Sequence, residues 1–273
     1  MTTLNTSATA AYSASEMWTY FWQMGDQRIM HWGLMGSPLK VLSVIGFYLL
    51  FSTRLGPYLM KDRPPMNIRP IVIAYNVFMV LASFYFCGLT VYYAYFKAQY
   101  SLICAGNDSW TNPWAHKMFH YGWWYLMLKV GELLDTVFFV FMKKATHISF
   151  LHLLHHSLAL WTVWLDLNLG ISGQVALFPI LNTSVHVVMY TYYGLSALPV
   201  HMRPNLWWKK YVTQFQIVQF LMLMIHGAVP LVYDCNFPRY FASLMVFEAG
   251  LFAYLFSDFY VKTYLKASPK KVE

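Results

Sequence analysis

Long apolar stretches, separated by short connectors rich in basic residues, proline or glycine, recur along this chain. Seven of them approach the roughly 20 apolar residues needed to cross about 30 Å of hydrocarbon. They cover approximately residues 39–54, 70–96, 118–142, 148–166, 174–197, 210–231 and 238–261. The first is short, and the third and fourth carry polar positions at helical spacing. The pattern predicts an all-α integral membrane protein with seven transmembrane helices. Residues 1–38 precede the helical domain, residues 39–261 form it, and residues 262–273 are a tail. The N-terminus has no basic segment followed by an apolar core, so no cleavable signal peptide is expected.

Composition supports this reading. Of 273 residues 58% are hydrophobic and 19% aromatic, and only 11% are charged, where soluble domains run near 25%. The basic residues fall unevenly. One set of alternate connectors holds thirteen: Arg54, Lys61, Arg63, Arg69, Lys143, Lys144, Arg203, Lys209, Lys210, Lys262, Lys266, Lys270 and Lys271. The other side has five (Arg28, Lys40, Lys97, Lys117 and Arg239), with Lys129 inside a span. The positive-inside rule then places the C-terminus in the cytosol and the N-terminus in the lumen. The net charge of +8 reflects this asymmetry. It is no nucleic-acid footprint, although a basic cytosolic face suits an anionic substrate.

Other signals agree in sidedness. The sequons at Asn5 and Asn107 fall on the lumenal side, where glycosylation occurs. Cys104 and Cys235 lie in lumenal connectors, where an oxidising compartment would let them pair; Cys87 lies within the second span. Lys270 and Lys271 stand four and three places from the C-terminal end. They resemble the dilysine retrieval signal of multi-pass endoplasmic reticulum membrane proteins.

Ionisable groups at membrane depth are rare and usually functional. Here Lys129, Glu132 and Thr136 share a helical face with Asp135 beside it. His152, His155 and His156 follow at i, i+3, i+4 on the fourth span. The fifth span adds Asn182, His186, Tyr190 and Tyr193, and the sixth Thr213 and Gln216, with Gln214 or Gln219 as further members. At about 1.5 Å per residue these groups reach similar depths, roughly 5–20 Å from the cytosolic ends of their spans. Four helices would thus line one polar chamber open to the cytosol. Such imidazoles could ligate a metal or serve as nucleophile and general base.

These residues also carry a family resemblance. KVGELLDT (129–136), FLHLLHH (150–156), VHVVMYTYY (185–193) and TQFQIVQF (213–220) resemble, in order, the KxxExxDT, HxxHH, HxxMYxYY and TxxQxxQ motifs of the very-long-chain fatty acid elongases, the ELO family. The resemblance spans roughly residues 30–271. Leu154 stands where many members have an aromatic residue, and His147 where several have glutamine. The resemblance implies condensation of a long-chain acyl-CoA with malonyl-CoA to 3-oxoacyl-CoA, CoA and carbon dioxide. It implies an acyl tunnel within the helices, open to the cytosol, with no cofactor and no resident metal. Partners would be membrane lipid and the 3-oxoacyl-CoA reductase, dehydratase and enoyl reductase of the cycle; a homodimer stays open. His155 is expected as nucleophile through an acyl-imidazole, with His186 orienting malonyl-CoA. His152 and His156 would act as supports through Asp135 and Asn182, while Lys129 and Glu132 look more structural. The rival readings are a di-iron membrane desaturase or hydroxylase, which needs three histidine boxes, and a seven-helix receptor or transporter.

Overall fold

Ser37 is extended and Pro38 takes the first helical position, where a missing N–H costs nothing. The computed structural model describes residues 25–266. Its first helix, α1 (Pro38–Met60), runs past the expected end at residue 54. Pro57 would ordinarily stop a helix. A π-helical turn over Phe51–Leu55 widens the coil, Gly56 N–H donates to Phe51 O, and Pro57 falls at the start of the next helical piece. Helix α2 (Arg69–Lys97) again begins with proline in its first turn.

Asn112 caps α3 (Pro113–Glu132) by accepting from Trp114 N–H at 3.0 Å. The third expected span is not one regular helix: α3 ends at Glu132 and α4 (Leu134–Phe141) resumes. At the joint, Leu133 N–H donates to Val130 O and Thr136 N–H to Leu133 O, both 3.2 Å, an i to i+3 pattern of 3₁₀ type. Ser149 then caps α5 (Phe150–Asn168), its hydroxyl accepting from His152 N–H at 3.2 Å. Helices α6 (Leu177–Ala197), α7 (Lys209–Val232) and α8 (Arg239–Leu265) follow. No strand occurs among the described residues.

Neighbouring helices close a ring in the order α2, α6, α7, α8, α5, α3 and back to α2, with α1 outside it against α5. Among the described residues five helical segments are long and apolar enough to cross a membrane: α1, α2, α6 with its preceding turn from Gly173, α7 and α8. The chain is therefore a multi-pass membrane protein. Helices α3 and α5 fall below that apolarity: α3 carries His116, Lys117 and His120 besides Lys129 and Glu132, and α5 carries its three histidines.

One end of the ring is roofed by residues 98–112. Gln174 Oε1 accepts from Ala105 N–H at 2.8 Å, while its Nε2 donates to Ile103 O and His226 O. Gly173, at φ +72°, lies against the Gly106 carbonyl, which any side chain there would strike. Cys104 and Cys235 are joined in a disulfide, their Cα atoms 5.5 Å apart and 131 residues apart in sequence. Closing so long a loop limits the unfolded chain, so Cys104→Ser/Cys235→Ser should cost about 2–5 kcal/mol. Thermal unfolding in detergent measures this, and an unchanged midpoint would contradict it.

Candidate active site

Asn182 is the hub of a buried network inside the ring. Its Oδ1 accepts from Lys129 Nζ at 2.5 Å and from Tyr125 OH at 2.8 Å. Its Nδ2 faces His186 Nε2 at 3.3 Å. With its oxygen taken by two donors, the amide nitrogen donates to His186. That leaves His186 Nδ1 to carry the imidazole proton, 3.1 Å from Glu132 Oε1 but off the line of a hydrogen bond. Glu132 also accepts from Lys129 Nζ at 2.8 Å. Lys129 and Glu132 are 2% and 1% exposed, so each charge depends on the other. The pair thus holds Asn182 and His186 in place.

The 3₁₀ joint after α3 changes which face the following residues use. Three residues per turn bring positions i and i+3 into register, so Asp135 joins Glu132 in facing α6. There Tyr190 OH donates to Asp135 Oδ2 at 2.8 Å. Thr136 turns away, its hydroxyl 2.9 Å from Tyr48 OH and 2.7 Å from His152 Nε2. Three sequence expectations are corrected here. Thr136 does not share the face of Lys129 and Glu132. His152 is held by Thr136 and not by Asp135, and Asn182 supports His186 and not His156.

The histidines of α5 likewise divide. His152 and His156 lie side by side with tilted rings, centroids 4.4 Å apart, and Tyr48 is 6.5 Å from His156. His155 points instead toward α7 and α8, its ring 6.1 Å from Phe220, 5.0 Å from Phe252 and 5.7 Å from Phe256. Neither His155 nor His156 makes a side-chain hydrogen bond among the described residues. Of the four histidines His155 alone is in the wall of a cleft between α5, α6, α7 and α8. Asn182 and Gln219 are in the same wall. A second cleft, beneath the 98–112 roof, shares Val163, Asp166, Val175 and Phe178 with the first. This cleft thus presents one imidazole, His155, and the amide of Asn182, which His186 contacts from behind, in a largely apolar wall. Among the described residues no three His, Cys, Asp or Glu side chains are arranged to hold a metal ion.

Other expected residues stand further off. Gln216 Nε2 contacts Met189 Sδ at 3.5 Å, Thr213 is buried on α7, and Tyr193 packs on Tyr190. Gln214 bonds Tyr260 on α8 and leaves the chamber to Gln219. Asn107 accepts from the Ser172 backbone and hydroxyl, and Ser109 is buried, so that sequon lies in a packed turn. Asn5, Lys270 and Lys271 lie outside the described residues. His147, in the connector before α5, packs on Phe139 at 5.0 Å; burial lowers its affinity for a proton, and Lys144 and Lys209 add to the effect. Tyr48 and Tyr125 were not anticipated. Both are aromatic residues in aromatic-rich spans, and nothing local separates them from lipid-facing tyrosines.

The sequence model of the GNS1/SUR4 (ELO) family matches residues 33–272. The chain is 38% identical to very long chain fatty acid elongase 4 of Homo sapiens, over 98% of this chain and 84% of the human protein. Similarity to elongase 7 of Rattus norvegicus is 39% over 91% of this chain and 89% of that protein. For elongase 1 of Mus musculus it is 35%, over 91% and 90%.

Proposed function

This chain belongs to the GNS1/SUR4, or ELO, family, and from that premise we propose how its interior performs fatty-acid elongation. The reaction is the condensing step, an acyl transfer. The acyl group leaves one CoA and is joined to the two carbons that malonyl-CoA keeps after losing carbon dioxide. The seven expected spans would comprise the five apolar helices with α3–α4 and α5, whose polar faces turn inward. In the endoplasmic reticulum membrane, an N-terminus in the lumen and C-terminus in the cytosol would put the 98–112 roof on the lumenal side. CoA would then approach from the basic, cytosolic end, and the acyl chain would extend from His155 into the apolar clefts.

The observation that carries this reading is the placement of His155. It is the one histidine of the four in the cavity wall, and no side chain among the described residues occupies its ring nitrogens. Its imidazole nitrogen attacks the acyl thioester, forming the acyl-imidazole N–C bond as the C–S bond breaks, and CoA leaves as a thiol after taking a proton. Malonyl-CoA then loses carbon dioxide, and the electrons of that C–C bond become the enolate. The enolate carbon attacks the acyl carbonyl, the N–C bond breaks as the departing ring nitrogen takes a proton from solvent, and 3-oxoacyl-CoA and neutral imidazole result. Asn182 and His186, fixed by Lys129 and Glu132, supply the polar groups nearest that path, suited to the malonyl thioester carbonyl. No cofactor enters these steps.

Membranes containing this chain, supplied with malonyl-CoA and a graded panel of acyl-CoAs, should form 3-oxoacyl products two carbons longer than the acyl donor, identified by mass. Membranes that turn over no acyl-CoA of any length would count against the assignment.

A further inference from the structure

Asp166 has no part in that mechanism. It lies on α5 eleven residues beyond His155, about 16 Å along the helix at ~1.5 Å per residue, and it lines both clefts. Asp166 Oδ1 is buried and has no hydrogen-bond partner among the described residues. One turn earlier and on the same face, Thr162 donates to Glu248 Oε2 across the cavity at 2.7 Å. Thr162 and Glu248 line the first cleft with Asp166. The surrounding wall is apolar, including Ala159, Val163, Phe178 and Leu223. Asp166 stands where the two clefts adjoin, with Val163, Val175 and Phe178.

We propose that Asp166, with the Thr162–Glu248 pair beside it, is a specificity site for a hydroxyl group on the distal part of the acyl chain. The inference rests on the elongase reading for the identity of the chain in the cavity. Asp166 is partly buried, but a carboxyl oxygen sealed off without a partner, as Oδ1 is, is costly, and no part of a plain hydrocarbon chain can relieve it. A hydroxyl both donates and accepts, so it pairs with the carboxyl whether that group is ionised or neutral. A double bond offers only a weak π acceptor, and a terminal carboxylate would meet two acidic side chains. The depth of the site selects the position: the hydroxyl must lie about 10–16 Å from His155, between the levels of Thr162 and Asp166 at ~1.5 Å per residue. A site built around a hydroxyl disfavours the analogue that lacks it, because the protein's own polar group is then left unpaired.

The test uses the full-length enzyme in membranes and pairs of acyl-CoAs of equal length, one unsubstituted and one hydroxylated at successive distal carbons. The reading is the ratio of kcat/KM within each pair. The wild type should favour the hydroxylated chain by about tenfold or more at one narrow band of positions. Asp166→Leu should remove that preference, and Asp166→Asn, which keeps hydrogen-bonding atoms, should retain part of it. A wild-type ratio near one at every position overturns the proposal without any variant, as does a preference that Asp166→Leu leaves intact. Failure of the wild type with all chains, hydroxylated or not, would instead overturn the elongase reading.

Discussion

Replacing His155 by alanine should lower condensation by about 10³-fold or more, because the step would lose its nucleophile. The informative experiment omits malonyl-CoA. Given a labelled acyl-CoA alone, the wild type should release CoA and retain label on the protein, while His155→Ala should do neither. His152→Ala should still take up label, more slowly, since His152 bonds Thr136 outside the cavity wall. A His155→Ala protein that unfolds at the wild-type temperature yet still traps label would remove His155 from this role.

The second large effect concerns Lys129 and Glu132. Glu132→Gln leaves the Lys129 ammonium buried with only Asn182 and Tyr125 beside it. Removing one partner of such a pair costs about 3–5 kcal/mol. At roughly 2–4 °C per kcal/mol for a chain of this size, the unfolding midpoint should fall by on the order of 10 °C. Lys129→Met should fall similarly. The double variant Lys129→Met/Glu132→Leu should recover much of the loss, since neither charge is then stranded, but it should stay inactive because His186 and Asn182 lose their anchors. Single variants with unchanged midpoints would mean that the pair contributes little, and an active double variant would sever it from the site.

Much of the fold was legible along the chain. Six of the expected spans coincide with helices, and five of those are long and apolar enough to cross a membrane, because apolar runs of that length have few other outcomes. Misses came where local backbone detail mattered. A π-helical turn carried α1 past Pro57, and 3₁₀ bonds at Leu133 broke the third span. Hydropathy registers neither, since both alter hydrogen bonding without altering composition. The ring order was also hidden: α2 packs against α6, far away in sequence, and apolar faces carry no label for their partner.

The candidate site divides in the same way. The chain's own pattern predicted that Lys129, Glu132, Asp135, Asn182 and four histidines stand at similar heights on their helices, because helical rise converts sequence position directly into height. It also determined the family, through four motifs in order. Which histidine meets the cavity was decided only by tertiary packing. At 100° per residue His155 and His156 project 100° apart from one helix, enough for His155 to face the aromatic wall of α7 and α8 while His156 faces Tyr48 of α1. Asp166 shows the same limit. A lone carboxyl near a helix end reads as surface until the ring closes around it, and whether it meets solvent or a cavity depends on neighbours that only the folded chain supplies.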